Sequence, residues 1–136
     1  MTWTDSNTNE SAFRIDRSPS GANDFETLTD THPSGSNGFT DDDGLTADSH
    51  YDYRVYVITA AGESPFAAIS GFTLPNAPGS FDVATVSVSR LDLSWSDTNS
   101  TETAYEVWKN QDTPSLLHSK AADSTADSDT GLAAET

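Results

Sequence analysis

Two stretches of this chain copy one another at a distance of 92 residues (Trp3 to Trp95), and no other feature so narrows what it can fold into. Residues 3–17 read Trp-Thr-Asp-Ser-Asn-Thr-Asn-Glu-Ser-Ala-Phe-Arg-Ile-Asp-Arg, and residues 95–109 read Trp-Ser-Asp-Thr-Asn-Ser-Thr-Glu-Thr-Ala-Tyr-Glu-Val-Trp-Lys. Trp3 matches Trp95, Asp5 matches Asp97, Glu10 matches Glu102, Ala12 matches Ala104, Phe13 matches Tyr105 and Ile15 matches Val107. Further along, Asp43-Gly44-Leu45-Thr46-Ala47 matches Thr130-Gly131-Leu132-Ala133-Ala134 at a distance of 87 (Gly44 to Gly131). The shortfall between the two distances is a loop deletion, as expected where turns vary. A period near 90 residues is too long for one unit of a solenoid and fits a whole domain.

Within each copy the local pattern is strand. Phe13-Arg14-Ile15-Asp16-Arg17 alternates, with Phe13 and Ile15 on one face. Tyr51 to Ile58 does the same and directs Tyr51, Tyr53, Val55 and Val57 inward, and Leu91-Asp92-Leu93-Ser94-Trp95 follows suit. Clusters of Gly, Asn, Asp and Ser separate these runs, and no amphipathic helical period persists beyond two turns. Hydrophobic residues are only 34% of the chain, yet its three Trp, four Tyr and six Phe fall in these alternating runs, which places it among folded β proteins rather than disordered ones. Pro75, Pro78 and Gly79 mark a short, semi-rigid junction between the copies.

These residues together resemble the fibronectin type III family, in its secreted bacterial and archaeal form. The resemblance rests on Trp3 and Trp95 as the strand-B Trp, the acidic, Asn-rich loop after each, and the aromatic-x-aliphatic of strand C. It rests also on Gly44-Leu45 followed by Tyr51, the pattern of a tyrosine corner, and on Tyr53-Arg54-Val55 running into Thr59-Ala60-Ala61-Gly62-Glu63-Ser64-Pro65 as strand F and the F–G turn. It implies an all-β, immunoglobulin-like sandwich present about one and a half times. Residues 1–75 would form a repeat of strands B to G without strand A, since Met1 stands where Leu93 stands in the second copy. Residues 76–136 would form a second repeat of strands A to E, with Phe81–Val86 as strand A and without F and G. Each absent central strand removes several buried side chains at about 1.5–3 kcal/mol apiece, against a total stability of about 5–15 kcal/mol, so the second repeat is not expected to fold alone. Either the chain is a window on a longer tandem array, or neighbouring chains supply the strands by exchange.

Charge removes several function classes. The net charge is −16, from 22 Asp plus Glu against six Lys plus Arg, which repels phosphate backbones and anionic membranes. Salt or divalent cations are expected to stabilise such a chain by screening. Without Cys there are neither disulfides nor thiolate metal sites, and the sequence shows no signal peptide, lipidation box or transmembrane run.

Candidate site residues are few. Asp41, Asp42 and Asp43, before Gly44, are the densest acidic run and the candidate Ca²⁺ ligands, and Ca²⁺ is the one cofactor the sequence suggests. Adjacent Asp residues do not all point at one ion, so a solvated turn is the competing account. Asp5, Glu10, Asp97 and Glu102 fit a turn-capping role better than a metal site. His32, His50 and His118 lack partners at ligand spacing and are expected in loops. Asn9 and Asn99 begin glycosylation sequons in the exposed B–C loops. Trp108 replaces Asp16 on the outward face of its strand, as an interface residue or a platform for carbohydrate. No nucleophile elbow is present, and a sandwich offers no cleft for paired carboxylates, so no enzyme is expected. The expected function is a structural or interaction module of a repetitive extracellular or cell-surface protein, assembling into a fibre by strand exchange with neighbouring repeats or copies. The alternatives are a spacer module of a secreted polysaccharide-degrading enzyme and a ligand-binding segment of an adhesin.

Overall fold

The computed structural model describes residues 1–110 and 112–133; the last residue of the repeat match, Ala134, lies outside them, as do Glu135 and Thr136. The chain divides into two compact units, Met1–Leu74 and Pro75–Thr136. Strands are the sole regular structure among the described residues, and all of their pairings are antiparallel.

The first unit is one sheet built from β1 (Ala12–Pro19), β2 (Glu26–Pro33), β3 (His50–Thr59), β4 (Gly62–Glu63) and β5 (Ala67–Phe72). Its order is β2-β1-β3, with β4 and β5 both pairing with the far side of β3. Phe13 lies opposite Val57 and Ile15 opposite Val55, so the alternation read from the sequence puts these four side chains on one face. Phe13 and Ile15 are fully buried. The opposite face carries charge and rings: Arg14 lies opposite Tyr56 and Asp16 opposite Arg54. There Arg14 stacks on Tyr56, and Arg54 sits over Phe25 at 3.6 Å and Phe66 at 4.4 Å. The second layer shrinks to one bridge, Thr2 with Gly38. Around it Trp3 N–H donates to Asn37 O and Phe39 N–H to Met1 O, both at 3.0 Å. Strand B, which the resemblance has beginning partway along at Met1, and strand E thus meet here as a stub. Trp3 covers Phe13 at 5.3 Å, and the His32 ring stands edge-on to both Trp3 and Phe39.

The second unit has the opposite balance. A three-stranded sheet of order β10-β7-β6 is formed by β6 (Gly79–Ser87), β7 (Arg90–Ser96) and β10 (Ala126–Thr130), and among the described residues β8 (Ala104–Lys109) pairs only with β9 (Ser115–Ala121). Leu93, Trp95 and Tyr105 form the buried cluster, with Val107 and Leu117 against it. The Trp95 and Tyr105 rings are 5.7 Å apart. Register places Asp127 opposite Leu93 and Asp129 opposite Leu91, so two carboxylates share the apolar face. They are tolerated there because Lys109 reaches Asp129 (2.8 Å) while His118 (2.7 Å) and Lys120 (3.3 Å) reach Asp127.

Candidate functional site

The repeated loop after each strand-B Trp is built by the same two carboxylates. Asp5 Oδ1 accepts from the N–H of Asn7 and Asp97 Oδ1 from that of Asn99, each at 2.9 Å, closing identical Asx turns. Glu10 Oε1 then accepts from Gly35 N–H (3.1 Å) and Glu102 Oε1 from Asp123 N–H (3.0 Å), tying the loop to the turn that follows the second strand of the next hairpin. These are capping roles, as the sequence suggests. Gly35 and Asp123 occupy matching left-handed positions, with φ of 72° and 60°. The copies differ there in chemistry: the second has a carboxylate where the first has none, and the Tyr105 hydroxyl where the first has the Phe13 ring.

Asp97, Glu102 and Asp123 consequently converge. Each offers one oxygen, and the three lie within 4.8 Å of one another, forming the one such group of His or acidic side chains among the described residues. Asp123 and Tyr105 were absent from the sequence-based candidates. Reading the repeat alignment for differences rather than identities would have found both.

Asp41, Asp42 and Asp43 do not gather in this way. Asp41 is turned inward, where both its oxygens accept from Arg17 Nη1 (3.0 and 3.1 Å) and Oδ2 also accepts from the Tyr53 hydroxyl (2.8 Å). Asp42 and Asp43 are exposed, and the Asp43 carbonyl accepts from Arg17 Nη1 at 2.8 Å. Gly44 closes this turn with φ of 65°, and an added Cβ would stand 3.4 Å from Arg17 Nη2. Burial, with help from Asp41, pushes the Tyr53 hydroxyl far up.

The tyrosine-corner geometry is present: the buried Tyr51 hydroxyl accepts from Thr46 N–H at 2.9 Å, a bond that favours the phenolate and lowers its pKa. On the outer face, burial raises the Asp16 carboxyl. Hydrogen bonds from Arg14 and Thr27 and the charges of Arg14 and Arg54 outweigh it and hold the group below its ordinary value. Burial likewise raises Asp127, but the hydrogen bonds from His118, Ser128 and Lys120 bring it below the ordinary range.

The remaining candidates lie apart. Asn9 is exposed, whereas the Asn99 amide clamps Asn76, accepting from its N–H (2.7 Å) and donating to its carbonyl (3.0 Å). Trp108 is 54% exposed on β8, its indole N–H donating to Glu106 Oε2 at 3.0 Å. The histidines are not loop residues as expected. His32 lies in β2, His50 opens β3 and His118 lies in β9, because strand pairing extends past the apolar runs that mark strands in the sequence.

The largest departure from a closed β domain is the first unit's inner face. Tyr53, Val55 and Val57 are only half-buried, every residue of β5 is exposed, and Met1, Trp3, Tyr53, Val55, Ala67 and Ile69 line an open apolar cleft. No helix among the described residues is long and apolar enough to cross a membrane.

No protein-family profile and no curated protein matches the sequence. Solved structures do. A two-domain fibronectin type III segment of chicken tenascin matches 98% of this chain and 75% of its own length, at 17% identity and a TM-score of 0.52. The FN1–FN3 domains of chicken contactin match 93% of this chain at 15% identity and a TM-score of 0.39, and this chain spans 45% of their length. The chain has a fibronectin type III-like, immunoglobulin-like β fold.

Proposed function

We propose that this chain is a non-catalytic structural and interaction module of a repetitive extracellular protein, whose open sheets are completed by neighbouring repeats or by other copies of itself. The observation that carries it is the uncovered inner face of β3 and β5. Ile69, opposite the inward Tyr53, is 52% exposed, and it stands on a strand whose outer edge pairs with nothing among the described residues. Covering such side chains gains about 1.5–3 kcal/mol each, and an unpaired edge offers backbone groups to an added strand. Fibre assembly by strand exchange is one arrangement that uses both features.

The experiment is light scattering across concentration on the parent chain and on Ile69→Asp. A mass that rises with concentration in the parent, and falls to the monomer in Ile69→Asp while the first unit's melting transition persists, supports self-completion. A parent that stays monomeric at its highest soluble concentration overturns it.

Carbohydrate binding is a second reading, favoured by the Trp108 ring standing beside Phe81 and Pro78 at an open apolar cleft of the second unit. Oligosaccharide titrations that leave Trp fluorescence unchanged remove it. The spacer role beside a catalytic domain and the adhesin role rest on the fold alone.

A further inference from the structure

The acidic cluster of the second unit differs from its counterpart in the first in a way that turn capping does not explain. Glu102 Oε1 already caps the Asp123 N–H, and Glu10 Oε1 does the same for Gly35, so the loops are closed equally well in both units. Only the second adds a third carboxylate, and like charges held within 4.8 Å repel one another without contributing to the cap. All three basic side chains of this unit pair elsewhere: Arg90 with Asp92, Lys109 with Asp129 and Lys120 with Asp127.

The second observation is the Tyr105 hydroxyl. Tyr105 is 8% exposed, and its hydroxyl faces Asp97 and Glu102. It is buried and makes no hydrogen bond of standard geometry, although Asp97 and Asn99 lie close, and Glu102 Oε2 is likewise unsatisfied. An orphan Glu Oε2 is not distinctive by itself, because Glu10 Oε2 is orphaned too. What distinguishes the second unit is a buried phenolic oxygen, without a hydrogen bond of standard geometry, beside two of three convergent carboxylates, Asp97 and Glu102. A phenol is neutral at ordinary pH, so it is a neutral oxygen donor.

We propose that Asp97, Glu102 and Asp123 bind one Ca²⁺ ion, with the Tyr105 hydroxyl as the neutral oxygen on its buried side. The donor set is all oxygen and carries a formal charge of three carboxylates, which suits a hard divalent cation. It lies on two loops able to adjust to the long bonds of Ca²⁺, which takes roughly six to eight oxygens and leaves water to complete the shell. Zinc is disfavoured, since the chain has no Cys and His118 is held by Asp127. The ion would pin the loop before β8 to the turn after β9, adding a metal tie to the hydrogen bond from the Asp123 N–H to the Glu102 carboxylate.

The test is Ca²⁺ titration of the full chain by calorimetry at fixed ionic strength, so that screening of the overall charge is constant. One ion with a Kd of about 10⁻⁴–10⁻³ M is expected, the range of extracellular modules. Asp123→Asn keeps a side chain that tolerates positive φ and keeps the N–H that Glu102 accepts, so the variant folds. It should weaken binding at least about tenfold, as expected from loss of a charged ligand. Tyr105→Phe restores the residue of the first copy and should weaken binding less. Asp42→Asn removes the same charge from an exposed site and should leave binding unchanged. No binding in the millimolar range, or equal affinity in the parent and Asp123→Asn, overturns the proposal. So does a loss that follows Asp42→Asn instead.

Discussion

Arg17 and Asp41 meet on the inner side of the first unit at 3.0 Å, with only 10% and 9% of their side-chain surfaces exposed. Replacing Asp41 with Asn keeps the shape and an oxygen for the Tyr53 hydroxyl but strips the guanidinium of its buried counter-charge. Removing one partner of a buried pair costs about 3–5 kcal/mol. Two other hydrogen-bond partners of Arg17 remain, the Asp43 carbonyl at 2.8 Å and Glu26 at 2.7 Å, along with the Tyr51 ring at 5.5 Å. Glu26 is 65% exposed, so that pair is worth only about 0–1 kcal/mol. The expected loss is therefore near the low end, about 3 kcal/mol. In a unit of this size it lowers the melting midpoint by about 10–20 °C. Differential scanning calorimetry, with hydrogen exchange of the β1 and β3 amides to assign the transition, measures it. Arg17→Met together with Asp41→Leu removes both charges and should recover most of the loss, because no uncompensated charge stays buried. A midpoint within about 2 °C of the parent for Asp41→Asn, with additive effects in the double variant, would refute the idea that this pair is desolvated.

Two further outcomes follow from the same structure. Tyr51→Phe leaves the Thr46 N–H without its acceptor and should cost about 1–3 kcal/mol, read as a lower urea midpoint of the first unit; an unchanged midpoint would sink the tyrosine-corner assignment. Asp16 and Asp127 both have folded pKa values below their ordinary ones, so the stability they contribute is fully present above the unfolded carboxylate pKa of about 4 and is lost as pH falls through the folded value. Melting temperature should therefore decline below about pH 4, and Asp16→Asn should flatten the acid limb of the first unit; an equally steep limb in that variant would show that other groups control it.

How much was legible before the fold was known depended on whether the signal was local. The strands could be read because alternation is a period-two property of the chain, and Phe13, Ile15, Tyr51 and Trp95 are buried as that alternation requires. The tyrosine corner could be read because its partner lies five residues upstream. Arg17 could not. Alternation put it on the inner face beside Ile15, but only the return of the 41–43 turn across the sheet showed what would pair with it. The acidic run looked like one site because its residues are adjacent, yet adjacency along an extended chain points side chains apart. The convergent carboxylates came instead from positions 97, 102 and 123, joined by a hairpin.

The sequence by itself determined the strand pattern, the two-fold repetition and the loop-capping Asp and Glu of each copy, because these follow from side-chain periodicity and short-range hydrogen bonding. Only the tertiary structure decided which charges meet and which apolar faces stay open. Those depend on strand order and on the path of loops between strands, so residues far apart in the chain become neighbours through pairing that no local pattern encodes.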